Sequence, residues 1–145
     1  MNGKIKAISI SKKKGIPKSN VDSALLIENW GIQGDVHAGN WHRQVSLLAL
    51  ESINKLKDKG LDNLNPGIFA ENITTEFISL PDIPVGKNLK IGEDCIVEIT
   101  QIGKECHTRC AIFKTAGDCV MPREGIFAKV IKGGMIKVND LIIIL

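Results

Sequence analysis

Residues 88–102, NLKIGEDCIVEITQI, form two short runs rich in apolar residues, separated by the dipeptide Gly-Glu. In the second run apolar side chains recur at alternate positions from Cys95 to Ile99, so they share one face of an extended chain. The stretch therefore predicts two strands, residues 88–91 and 94–102, paired across a turn. Cys95 is interpreted as a small buried residue, because free cysteine is among the most buried residue types.

Further short strands are predicted on both sides of this pair. Residues 4–10 alternate between polar and apolar, which is typical of a half-buried strand. A second strand is expected within residues 21–30, with a helical turn as the alternative. Pro81 and Pro84 exclude a central strand in their segment. Residues 135–145 predict two more short strands, the last of them apolar enough to be buried on both faces.

One helix is expected at about residues 46–59, where leucine and isoleucine recur at helical spacing. Ser46 is its expected N-cap and Gly60 its C-terminal stop. A short helix is also expected near residues 124–131. Many short strands, glycine and proline turns and one good helix favour a mainly β barrel over a βαβ sheet. Residues 1–145 are expected to form a single domain.

Composition narrows the classes of function. The net charge of +3 fits a small anionic ligand better than nucleic acid, and two Trp, four Phe and no Tyr disfavour binding of single strands by base stacking. No apolar run approaches the roughly 20 residues that span a bilayer. The N-terminal residues do not resemble a signal peptide, so we expect a cytoplasmic protein with reduced cysteines. Metal, sulfur or redox chemistry is then expected ahead of disulfides.

Three of the four cysteines fall within residues 103–130, GKECHTRCAIFKTAGDCVMPREGIFAKV. Cys110 directly follows Arg109, and neighbouring cations favour the reactive thiolate. A semi-buried structural thiol is the alternative at Cys110. A zinc site is a further alternative, although the spacing C-H-x2-C-x8-C is not a usual zinc pattern. Its ligands would be Cys106, His107, Cys110 and Cys119.

A second polar run, residues 31–44, reads GIQGDVHAGNWHRQ and contains three glycines. Glycine lets the backbone approach a ligand closely or adopt positive φ in a turn. Arg43 could hold a phosphate group with two hydrogen bonds. The alternative is a salt bridge from Asp35 to Arg43 that closes a tight turn. The lysine-rich residues 11–20 are interpreted as a solvated loop, and Glu71 as a side chain that satisfies loop backbone groups.

Three runs in this order resemble the MOSC family, the domains similar to the C-terminal part of molybdenum-cofactor sulfurases. The runs are GIQGDVHAGNWHRQVSLL, PGIFAENIT and GKECHTRC…GDCVMPREGIFAKVIKGG…IKVND. The likeness extends from about Val21 to the C-terminus and is strongest to small stand-alone bacterial members. It implies a MOSC-type β-barrel and a cysteine that handles sulfur or contacts molybdenum.

Cys110 matches the key cysteine of the family. The resemblance implies that its sulfur does the chemistry and that it is the metal ligand if molybdenum is bound. The resemblance implies the molybdenum cofactor, molybdopterin, as the ligand, with Arg43 facing the pterin phosphate. The candidate cofactor-binding residues are Gly34, Asp35, His37, Gly39, Arg43, Gln44 and Arg109. No pyridoxal phosphate is expected in this chain alone, so sulfur would come from a separate cysteine desulfurase.

The leading hypothesis is a molybdenum-cofactor-binding or sulfur-carrier protein that uses a reactive cysteine in cofactor maturation or delivery. One alternative is a molybdenum-cofactor-dependent reductase of N-hydroxylated compounds, which needs a separate electron-donor protein. The other is a non-catalytic zinc or ligand-binding module. As an enzyme the chain would be a sulfurtransferase or a reductase. Cys119 is a resolving thiol or a bystander, and neither nucleic acid nor membrane is an expected partner.

Overall fold

The computed structural model describes residues 2–13, 18–57, 65–103 and 124–145. The helices that lie wholly within these ranges are one α-helix, α1 (Leu50–Lys57), and a 3-10 helix at Leu80–Asp82. Neither is long and apolar enough to cross a bilayer. The strands in chain order are β1 (Asn2–Ile10), β2 (Ser19–Val21), β3 (Ser23–Ile27), β4 (Gly31–Ile32), β5 (Val45–Ala49), β6 (Ile73–Glu76), β7 (Asn88–Ile91), β8 (Cys95–Ile102), β9 (Ile126–Lys132), β10 (Gly134–Lys137) and β11 (Leu141–Ile144).

A seven-stranded barrel is the main body of the described chain. The strands follow the order β11-β7-β8-β9-β5-β6-β1, and pairing of β1 with β11 closes the ring. Neighbours in the ring are antiparallel except β5 and β6, which are parallel. A parallel pair needs a long crossover connection, and α1 lies in the connection from β5 to β6. The expectation of a mainly β barrel with one clear helix is confirmed.

The strand pair predicted from residues 88–102 forms β7 and β8. Leu89 lies opposite Val97, and Ile91 lies opposite Cys95. The interpretation of Cys95 as a buried residue is confirmed, since its side chain belongs to the barrel core. The alternation of apolar and polar residues in β8 therefore places one face inside the barrel.

A separate three-stranded sheet packs beside the barrel, in the order β10-β3-β4. The two C-terminal strands predicted from residues 135–145 exist as β10 and β11 but do not pair with each other. β10 pairs with β3, whereas β11 returns to the barrel against β7 and β1. Between them Asn139 adopts a φ of 78°, a left-handed conformation that asparagine tolerates in turns.

The helix expected at about residues 46–59 begins later, at Leu50, because residues 45–49 form β5. Ser46 is a strand residue and not an N-cap, and its amide donates to Asn72 Oδ1 at 3.0 Å. Every residue of β5 is buried. A short apolar run buried on both faces has no period that separates strand from helix, which explains the error. Gly60, the expected stop, lies outside the described residues.

The short helix expected near residues 124–131 is wrong. Ile126–Lys132 is β9, which lies between β8 and β5 in the sheet. Its first three residues are all buried, so the run again lacks the alternation of a half-buried strand. Two neighbouring strands satisfy its backbone groups, and this long-range pairing overrides the local preference.

Candidate functional site

Asp35, in the polar run after β4, lies at the centre of a buried hydrogen-bond network. Its Oδ1 is 2.7 Å from Lys18 Nζ, and both side chains are completely buried. The amide of Ser11 donates to Oδ1 at 3.0 Å and the amide of His37 donates to Oδ2 at 3.1 Å. Burial alone would raise the pKa of Asp35, but the hydrogen bonds and the charge of Lys18 outweigh it and lower the pKa. The alternative in which Asp35 pairs with Arg43 is therefore wrong.

His37 connects this buried pair to the protein surface. Its Nδ1 lies 2.9 Å from Lys18 Nζ, while 35% of its side-chain surface remains exposed. The indole Nε1 of Trp41 donates to the carbonyl of His37 at 2.8 Å. The amide of Gly39 donates to the carbonyl of Trp30 at 2.8 Å. These bonds fix the middle of the polar run against the buried Lys18–Asp35 pair and the turn between β3 and β4.

Arg43 is held by contacts on two sides of its guanidinium group. Its Nε donates to Gln101 Oε1 at 3.0 Å, and its Cζ lies 5.0 Å from the centroid of the Phe127 ring. His42 Nε2 lies 3.0 Å from the same Gln101 oxygen. No carboxylate of the described residues pairs with Arg43. Its two terminal nitrogens therefore carry a positive charge that suits an anion.

Gln101 links Arg43 to the start of the cysteine segment. Its Nε2 donates to the carbonyl of Gly103 at 2.7 Å, and the amide of Gly103 donates to the carbonyl of Gly125 at 2.6 Å. The chain between these glycines contains residues 104–123, which lie outside the described residues. The predictions that fall there concern Cys106, His107, Arg109, Cys110 and Cys119. The described residues thus connect Arg43 to both ends of that segment.

The remaining predicted residues shape the loop itself. Gln44 is buried, and its Oε1 accepts from the amide of Val130 at 2.9 Å while its Nε2 donates to Asn29 Oδ1 at 3.2 Å. Gly34 has a φ of +86°, and a Cβ built there would meet no atom within 4 Å. A Cβ on Gly39 would lie 3.5 Å from Trp41 Cδ1. Glycine at 34 thus permits a left-handed turn and leaves open space above it.

Glu71 is a second buried carboxylate, separate from Asp35. It accepts hydrogen bonds from the amides of Gly67 and Phe69, at 3.0 and 3.1 Å, and from Thr74 Oγ1 at 2.9 Å. Burial raises the pKa of Glu71, although these hydrogen bonds oppose that rise. The prediction that it satisfies loop backbone groups is confirmed, and the side chain fixes the turn before β6.

Sequence reasoning missed two residues of the site. Lys18 was grouped with the solvated loop lysines, yet its side chain is completely buried against Asp35. Gln101 is one of many polar residues at strand ends, and nothing in its spacing relates it to Arg43, 58 positions earlier. Both depend on contacts between distant parts of the chain. A lone lysine in a lysine-rich loop carries no signal of burial.

The described residues suit the anionic part of a pterin cofactor better than they suit a metal ion. Within the ranges given above, no group of three or more His, Cys, Asp or Glu side chains could hold a metal. The guanidinium of Arg43 suits a phosphate, and the backbone of Gly34 has open space beside it. A contact to molybdenum would depend on Cys110, which is not among the described residues.

Comparison with known proteins agrees with this architecture. The YuaD protein from Bacillus subtilis superposes with a TM-score of 0.82 at 17% identity, over 98% of this chain and 94% of that one. YiiM from Geobacillus stearothermophilus gives 0.73 at 16%, over 99% and 75%, and YiiM from Escherichia coli gives 0.67 at 14%, over 98% and 69%. At such identities the likeness shows the fold alone. No curated protein matches the chain.

The family assignment comes from the sequence. The family model of the MOSC domain matches residues 33–143, which include most of the polar run, the Glu71 turn and the cysteine segment. MOSC domains are associated with the molybdenum cofactor, which suggests a role related to that cofactor. The resemblance first drawn from the three sequence runs is confirmed. The chain belongs to the MOSC domain family.

Proposed function

We propose that this protein binds the molybdenum cofactor and uses the sulfur of Cys110 in cofactor maturation or delivery. The observation that supports it most directly is the chain of hydrogen bonds from Arg43 through Gln101 to Gly103. That chain joins an anion-binding group to the start of the segment that contains Cys110. The proposal therefore assigns the anion-binding role to Arg43 and the sulfur chemistry to the segment that follows Gly103.

Arg43 is the proposed phosphate-binding group. Its Nε is already engaged by Gln101, and its guanidinium lies over the ring of Phe127. Such contacts orient the planar group before a ligand arrives, so less side-chain freedom is lost on binding. The two terminal nitrogens then face the phosphate as parallel donors. Arg109 would add positive charge from the cysteine segment.

The loop from Gly34 to Trp41 would hold the rest of the cofactor. Asp35 and Gln44 keep the loop in place through buried hydrogen bonds. The Trp41 ring is anchored through its Nε1, yet the residue is 43% exposed. An anchored, exposed aromatic face suits the flat pterin ring by stacking, while Gly34 and Gly39 allow close approach of the ligand to the backbone.

Cys110 would act as a sulfur acceptor in its thiolate form. The thiolate attacks the outer sulfur of a donor persulfide on a separate cysteine desulfurase. The sulfur–sulfur bond of the donor breaks, a new one forms on Cys110, and the donor leaves as a thiolate. One thiolate is consumed and one is released, so no external oxidant or reductant is needed. When bound, molybdenum would supply a centre with affinity for sulfur ligands.

The test is anaerobic purification of the full chain from cofactor-producing cells, with mass spectrometry for persulfide and elemental analysis for metal. Wild type should carry persulfide, molybdenum or both; Cys110→Ser should lose whichever is found, and the matched control Cys95→Ser should keep it. Full sulfur acceptance and cofactor binding in Cys110→Ser would refute the proposal.

The same preparations separate the other two functions. Turnover of N-hydroxylated compounds with an artificial electron donor, without any persulfide, would support the reductase. Stoichiometric zinc without molybdenum would support the non-catalytic module. Either result would contradict the sulfur-carrier role and support the corresponding alternative function.

A further inference from the structure

The strand β11 and the residue after it carry apolar side chains on both faces of the sheet. Ile142 and Ile144 pack against the barrel core. The sequence predicted burial of both faces, whereas the structure buries only the inner one. On the outer face Leu141 is 54% exposed, Leu145 is 53% exposed, and Ile143 between them is half-buried. Alternate residues of a strand are about 7 Å apart, so these three form an apolar stripe about 13 Å long.

Lysine residues border this stripe on both sides. On β1, Lys4 lies opposite Leu141, and on β7, Lys90 lies opposite Ile143. The strands β1, β7 and β11 contain no aspartate or glutamate. Neighbouring strands are about 4.8 Å apart, so about 10 Å separates the two lysine-bearing strands. We call this surface, formed by the stripe of residues 141, 143 and 145 with Lys4 and Lys90, the β11 face.

Phe77 extends the β11 face beyond β1. Its side chain is 61% exposed, and Lys4 Nζ lies 5.6 Å from the centroid of its ring. Its φ of 66° is unfavourable for a bulky residue, so the surrounding structure must offset a cost in free energy. The amide of Phe77 donates to Glu51 Oε2 at 2.9 Å, which holds this conformation. The nearest carboxylate to Lys4, that of Glu76, is 3.9 Å away, beyond hydrogen-bond distance.

The size and charge of the β11 face indicate what can cover it. A stable dimer uses about 20–30 residues on each side, far more than this surface offers. A second copy would also bring its own lysines against Lys4 and Lys90. An α-helix is about 10–12 Å in diameter and brings residues four positions apart to within about 6 Å of each other. These dimensions match the distance between the lysine-bearing strands and the spacing along the stripe.

We propose that the β11 face is a docking site for an acidic amphipathic helix of a partner protein. Apolar residues at positions i, i+4 and i+8 of that helix cover the stripe. Aspartate or glutamate residues on its two flanks pair with Lys4 and Lys90, and Phe77 packs against its side. Docking here is separate from the proposed cofactor site, because β7 lies between β11 and β8, the strand that carries Gln101.

The first test measures binding of a fluorescent peptide of about 18 residues, long enough to form a helix. The peptide has leucine at every fourth position and glutamate on both sides of the leucine residues. A scrambled peptide of the same composition keeps the charge but has no apolar face. Fluorescence anisotropy with the full wild-type chain should show about tenfold tighter binding of the amphipathic peptide. Equal binding of the two peptides, or no binding of either, would refute the docking site.

The second test locates the bound peptide with substitutions at the β11 face. Leu141→Glu should weaken binding about tenfold, because it interrupts the stripe and repels the glutamates of the peptide. The matched control is Met135→Glu on β10, where the replaced side chain is 58% exposed. Lys90→Glu should weaken binding about fivefold, and Lys55→Glu, at a lysine whose side chain is 62% exposed, should not.

Urea unfolding shows which of these variants are folded. Unchanged binding in a folded Leu141→Glu would overturn the proposal, and if that variant does not fold, unchanged binding in Lys90→Glu would do so. Persulfide and metal content should not change in Leu141→Glu. Failure of the proposed role of Cys110 therefore leaves the peptide result intact.

Two further measurements distinguish the other possible occupants of the β11 face. Analytical ultracentrifugation of the wild-type chain alone detects a dimer. Co-sedimentation with vesicles of phosphatidylcholine and phosphatidylserine detects binding to an anionic membrane. Self-association or vesicle binding that is lost in Leu141→Glu but kept in Met135→Glu would overturn the proposal of a helix. A monomer that ignores vesicles and selects the amphipathic peptide would support it.

Discussion

Two ion pairs of the same length stand in opposite surroundings. Lys18 and Asp35 are 2.7 Å apart with no exposed side-chain surface on either residue. Lys55 and Glu124 are also 2.7 Å apart, but 62% and 16% of their side-chain surfaces are exposed. By distance alone, the two pairs would be expected to contribute equally to stability. Burial separates them, because an unpaired charge in the interior is costly and an unpaired charge at the surface is hydrated.

The two pairs also differ in what they hold together. Asp35 ties the polar run to Ser11 and Lys18, from distant parts of the chain. Glu124 accepts from Ser52 Oγ at 2.9 Å and from Lys55, both on α1, at the wall of a cleft of about 270 Å³. The buried pair therefore determines loop structure at the candidate site, whereas the exposed pair only connects Glu124, which precedes β9, to α1.

The largest expected effect is that of Lys18→Met. Removing the lysine leaves the Asp35 carboxylate buried without its counter-charge, and breaking a buried pair in this way costs about 3–5 kcal/mol. The free energy of unfolding from urea titration should fall by that amount. Lys55→Met serves as the control in the same experiment. A loss below about 1 kcal/mol for Lys18→Met would remove the distinction between the two pairs.

Lys18 also shows where prediction from the sequence ends. Its neighbours Lys12 and Lys13 are exposed, and no spacing marks position 18 as different. The partner that buries it, Asp35, comes 17 positions later, after three intervening strands. The glycine-rich polar run could be found from composition, but the side chains that hold it could not, since they come from elsewhere in the fold.

The fold shows a similar division between local and long-range information. The pair β7–β8 could be predicted because each strand has one polar face and the turn between them is short. β5 and β9 were misassigned in part or whole as helix, since all of β5 and the first three residues of β9 are buried. A run without a polar face contains no period, so only its neighbours decide its structure.

Low pH should weaken the buried Lys18–Asp35 pair in the wild-type protein. Asp35 has a pKa below its ordinary value of 3.8 in the folded protein, so its contribution to stability is present above pH 3.8 and is lost as the pH falls through the lowered pKa. Urea midpoints measured between pH 2 and pH 7 (about the range in which carboxyl groups titrate) should show this loss. Asp35→Asn should flatten that part of the profile. An unchanged profile in Asp35→Asn would show that other carboxylates cause the loss.

The contribution of Glu71 to stability should change with pH in the opposite direction. Burial raises its pKa above 4.5, so its contribution to stability is present below pH 4.5 and is lost as the pH rises through the raised pKa. Comparison with Glu71→Gln separates the two carboxylates, because only the Asp35 contribution disappears toward low pH.

Substitution of an uncharged buried group, the Cys95 thiol, should cost an amount of stability between the costs of breaking the two ion pairs. Cys95 is fully buried, and burial, followed by the nearby Asp94 and Asp140, raises the pKa of its thiol to about 11. Cys95→Ser places a hydroxyl in an apolar environment, which costs about 1–3 kcal/mol. Urea unfolding measures the loss, and persulfide formation on the folded variant should be unchanged. A fully stable variant without persulfide would instead give Cys95 a chemical role.

The smallest expected effect is that of Lys55→Met. The pair with Glu124 is solvated on the lysine side, so its loss should cost about 0–1 kcal/mol. The cost should shrink further at high salt, because the screening length falls from about 10 Å at 0.1 M to about 3 Å at 1 M. Urea titrations of wild type, Lys55→Met and Lys18→Met at both salt concentrations measure this directly. If Lys55→Met costs as much stability as Lys18→Met and the cost does not change with salt, the Lys55–Glu124 pair is shielded from solvent as completely as the Lys18–Asp35 pair.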